Sequence, residues 1–86
     1  MAIVPPFWFV QRQARAEPAG ADTLRLTAPN LGEAFISIRQ ADNGRWSAAL
    51  RQTADGPEVA ATEGDYETPE DAWAAAFELY RTHVVI

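Results

Sequence analysis

Few side chains in this 86-residue sequence could do chemistry. There is one histidine, His83, and no cysteine. A protein metal site draws on several such ligands, so no metal centre is expected. His83 follows a helical pattern and reads as a basic cap at a helix C-terminus. Ser37 and Ser47 become nucleophiles only beside a base, and no Gly-x-Ser-x-Gly elbow surrounds either. Carboxylates are plentiful at Glu63, Asp65, Glu67, Glu70 and Asp71. Acid–base work needs a carboxyl whose pKa burial has raised. These five fall in a loop and the first turn of a helix, where burial is not expected. Asp42-Asn43-Gly44 opens like a calcium loop but lacks the later ligands and the closing glutamate. No glycine-rich phosphate loop occurs. The expectation is a non-catalytic protein with neither cofactor nor metal.

Charge says more about partners. The net charge is −5, unevenly spread. Residues 1–53 hold six arginines against four acids, whereas residues 54–86 hold eight acids against Arg81 alone. Such asymmetry predicts a two-faced surface. Lysine is absent and alanine abundant, as the proteins of a GC-rich genome often are. A phage-type or accessory bacterial protein fits that bias.

The elements that would position these charges follow from pattern. Phe7 to Gln13 reads as a strand of β-formers behind Pro5-Pro6. Residues 14–21 read as a loop broken by Pro18 and Gly20. Thr23 to Ala28 alternates, with Leu24 and Leu26 on one face. Ala34, Ile36 and Ile38 alternate with Phe35, Ser37 and Arg39. After Asn43-Gly44, Trp46, Ala48 and Leu50 alternate with Ser47, Ala49 and Arg51. Asn-Gly between two such runs marks a hairpin, because both residues tolerate positive φ. Asp55-Gly56-Pro57 makes the next turn, and Val59 and Ala61 mark a shorter strand.

Thr68 then opens a helix, with Pro69 at its first position and Glu70 and Asp71 where the dipole favours negative charge. Trp73, Ala76, Phe77 and Tyr80 form one apolar stripe, and the helix is expected to end near Thr82. His83-Val84-Val85-Ile86 reads as a β-branched tail. The predicted fold is a single α+β domain over residues 1–86. It is an antiparallel meander of four to five strands packed on one C-terminal helix, a two-layer sandwich.

With those elements placed, residues 35–80 resemble the YegP-like small domains. The features that carry this are the Gly44 turn, the strand bearing Trp46 and Leu50, the Asp55-Gly56 turn, and Tyr66-x-Thr68 before an alanine-rich helix. A second resemblance is to the HicB-like antitoxin fold, without its DNA-binding segment in these 86 residues. It rests on Gly64-Asp65 and Thr68-Pro69-Glu70-Asp71-Ala72. The YegP-like resemblance implies this fold and no settled activity.

Two surfaces remain for partners. The sheet face away from the helix is expected to present Arg25, Phe35, Ser37, Arg39, Arg45, Ser47 and Arg51. Arginines beside an aromatic suit another protein or, as the alternative, single-stranded nucleic acid. The acidic stretch with Glu63, Asp65, Glu67, Glu70 and Asp71 suits a basic partner, such as a nucleic-acid-binding protein that it inhibits. The apolar ends add a third hint. Alternation predicts that Trp8 or its neighbours Phe7 and Phe9 face outward, which marks an interface and suggests a homodimer. No apolar run is long enough to span a membrane and Met1–Val10 has no basic lead, so a cytoplasmic location is expected.

Overall fold

The Asn43-Gly44 turn sets the middle of the fold. The computed structural model describes residues 6–11, 13–29, 32–53, 56–62 and 66–85. In it Gly44 has φ +84°, and the Asn43 side-chain oxygen accepts from the Arg45 backbone N–H at 2.9 Å. The five strands are β1 (Arg15–Gly20), β2 (Thr23–Ala28), β3 (Gly32–Gln40), β4 (Trp46–Arg51) and β5 (Glu58–Ala61). They pair antiparallel in sequence order, with β3 in the centre and β1 and β5 at the edges.

Alternation assigns the inner face. Leu24, Leu26, Ala34, Ile36, Ile38, Ala48 and Leu50 are all buried in one cluster. Val59, one of the two residues that mark β5 in the sequence, stands outside that cluster and is 48% exposed. The register shifts between Leu50 and Arg51, which pair with Ala60 and Glu58. That bulge skips Val59, and Ala60 packs against the core instead.

The helix α2 (Pro69–Tyr80) closes the inner face with Ala72, Trp73, Ala76, Phe77 and Tyr80. Thr68 caps it by accepting from the Asp71 N–H at 3.1 Å. The α-helix ends at Tyr80, not near Thr82. Arg81–Val85 then widens into one π-helical turn, so His83 and Val84 continue the helix where a tail was expected.

Two further expectations are corrected. Phe7–Gln11 is a short helix, α1, and not a strand. Residues 15–20, read as loop, form the edge strand β1. Five residues are too few to hold a helix alone. Packing holds this one: Phe9 is 1% exposed and meets Phe77 edge-on at 5.1 Å, and Trp8 stacks over Tyr80 at 6.4 Å. Gln13, at φ 59°, ends the helix in the left-handed region, and its N–H reaches the Val10 carbonyl at 3.0 Å. β1 tolerates Pro18 because an edge strand has one row of backbone groups without ladder partners.

Candidate docking face of the sheet

α1 and α2 cover one side of the sheet, and the other side is open to solvent among the described residues. Antiparallel pairing sets the open face in rows across the strands. One row runs Glu17, Arg25, Phe35, Arg51, Glu58, each residue opposite the next. The next row along the strands runs Thr23, Ser37, Ala49, Ala61. Beyond it Arg39 lies opposite Ser47. Large side chains thus stand beside a row of small ones. The small row floors a shallow concavity of about 330 Å³, with Arg39, Arg51 and Glu58 on its rim.

Phe35 lies on this open face as expected, yet it is only 7% exposed and stands outside the core cluster. Its neighbours across the strands are Arg25 and Arg51, whose aliphatic stems are long enough to lie against the ring. Arg25 is ion-paired. Its Nε donates to Glu33 Oε2 at 2.7 Å, and its Nη1 lies 3.7 Å from Glu17 Oε2. These side chains are about half exposed, so each pair contributes at most about 1 kcal/mol. Their chief effect is to tether the guanidinium between the β1 and β3 carboxylates. The face therefore carries both signs of charge.

The other sequence-predicted residues fall elsewhere. Arg45 sits in the turn before β4, and its Nη2 lies 3.9 Å from Glu67 Oε1. Trp8 is half-buried on α1, where it stacks on Tyr80 on the helix-covered side of the sheet and not on its open face. Its neighbours Phe7 and Val10 are the exposed apolar residues there, at 76% and 60%. Within the acidic stretch, Glu63 and Asp65 lie outside the described residues. Glu70 and Asp71 occupy the first turn of α2, where they favour the helix. Glu17, Glu33 and Glu58 were missed as members of the face. Alternation along β3 could have supplied Glu33, two residues before Phe35; Glu17 was hidden by reading β1 as a loop.

Among the described residues, no three His, Asp or Glu side chains gather closely enough to hold a metal ion. No helix there is long and apolar enough to cross a membrane. His83 is exposed and borders a second concavity of about 330 Å³ with Tyr66, Leu79 and Thr82. Comparison with protein-family models, curated proteins and solved structures finds no match for the chain.

Proposed function

We propose that this chain is a non-catalytic protein-interaction module that docks its partner on the open face of the sheet. One observation carries the proposal: the ordered alternation of a large, charge-bearing row with a row of small residues across the strands. The mixed charge favours a protein over nucleic acid. A phosphate approaching Arg25 meets Glu17 and Glu33 as well, and nucleic-acid faces are predominantly basic.

The test is affinity capture with the full chain as bait, alongside an Ala49→Arg variant that fills the small row. Protein retained after nuclease and high salt, and lost with Ala49→Arg, supports the docking role. Material that vanishes with nuclease, or with moderate salt in proportion to phosphate contacts, assigns the face to nucleic acid instead.

A further inference from the structure

We propose that the occupant of the open face is a second copy of this chain, joined about a two-fold axis that crosses β3 at Ile36. This rests on the open face being a docking surface, and it names the partner. Along β3 the outward residues run Glu33, Phe35, Ser37, Arg39. The order is acidic, large, small, basic. A two-fold axis perpendicular to the strand, midway between Phe35 and Ser37, turns that order onto its complement. The row that holds Phe35 beneath its arginine stems then lies over the partner's row of Ser37, and Glu33 lies over the partner's Arg39. A symmetric dimer demands this kind of self-complementary patch.

The neighbouring strands obey the same rule. The axis runs along the rows, so each strand faces its own copy. On β2 Arg25 meets the partner's Thr23, and on β4 Arg51 meets the partner's Ala49. In three adjacent strands a large side chain faces a small one, which lets two sheets close to the roughly 10 Å spacing of packed sheets. Arg39 is exposed and has no ion pair with any described residue, so it is available to Glu33 of the other copy. Glu33 already accepts from Arg25 through Oε2, and a carboxylate can accept further bonds. Five strands spaced about 4.8 Å apart give a face of roughly 400 Å² in plane, more with side-chain relief. The two copies together then bury about 800 Å² or somewhat more, below the roughly 1,200 Å² of stable interfaces, so the dimer is a weak, reversible one.

The edges make the alternative of strand-to-strand pairing a poor one. β1 carries Pro18, and β5 is four residues long and bulged. Both features blunt an edge.

Sedimentation equilibrium of the full chain from micromolar to millimolar concentration tests the pairing. The wild type is expected to rise toward twice 9.4 kDa. Ser37→Arg, Arg39→Glu and Glu33→Arg are each expected to stay near the single mass. An equimolar mixture of the last two should recover the dimer, since every Glu–Arg contact is then restored between unlike copies. Circular dichroism confirms that each variant is folded; should Ser37→Arg unfold, the mixing experiment still decides. A wild type that is monomeric at millimolar concentration overturns the proposal. So does a dimer indifferent to all three variants, or one lost instead with Phe7→Ser. A monomer that still captures a protein sensitive to Ala49→Arg overturns self-pairing but leaves the docking role standing.

Discussion

Tyr80 is fully buried, and its hydroxyl has no hydrogen-bond partner among the described residues. A buried polar atom left unsatisfied costs about 1–3 kcal/mol. Tyr80→Phe should therefore keep the fold and leave stability unchanged or raise it by up to about 1 kcal/mol, read from urea unfolding. Burial also pushes the Tyr80 phenol above its ordinary pKa. The unfolded chain releases that proton near pH 10, whereas the folded chain holds it to higher pH. The contribution is thus intact below about pH 10 and lost as pH rises through the folded value. Stability should fall on the alkaline side, and Tyr80→Phe should flatten that fall. A variant as steep as the wild type would count against desolvation as the cause.

At the scale of elements, α1 is held mainly by the fully buried Phe9, with Trp8 stacked on Tyr80 beside it. Removing a buried phenylalanine costs about 3–5 kcal/mol through lost transfer energy and the cavity left behind. Phe9→Ala should cost that much and expose Tyr80, visible as a change in near-ultraviolet dichroism. Phe7→Ala, at a residue 76% exposed, should cost almost nothing. This contrast also shows what the sequence could and could not reveal. Strands β2 to β5 and helix α2 are legible because alternation, the Asn43-Gly44 turn and the Thr68 cap each have a local cause. α1 is not, since Phe7, Trp8, Phe9 and Val10 favour strands intrinsically and only Phe77 and Tyr80, far along the chain, hold them helical. β1 is hidden for a related reason. Pro18 and Gly20 break an isolated pattern, and only the place of β1 at a sheet edge excuses them. The open face was half visible: alternation gave Arg25, Phe35, Ser37, Arg39 and Arg51, but Glu17, Glu33 and Glu58 and the two rows came only with the strand pairing.

For the whole molecule, the edges matter as much as the face. A sheet with two open edges risks pairing with other chains, and Pro18 removes one donor from the β1 edge. Pro18→Val should leave the fold intact while raising the tendency to aggregate. Light scattering of a concentrated sample during slow warming would show it, and a variant no more prone than the wild type would place the protection in the short strand lengths. Phe9 carries one more implication. Its ring partners Phe77 and Tyr80 follow it by 68 and 71 residues. Ribosomes add roughly 5–20 residues per second, so a growing chain waits roughly 3 to 14 seconds between making Phe9 and making the rings that cover it. During synthesis this aromatic segment lacks the rings that cover it in the folded chain. The meander can assemble in that interval, but the core closes only when the last helix has left the exit tunnel.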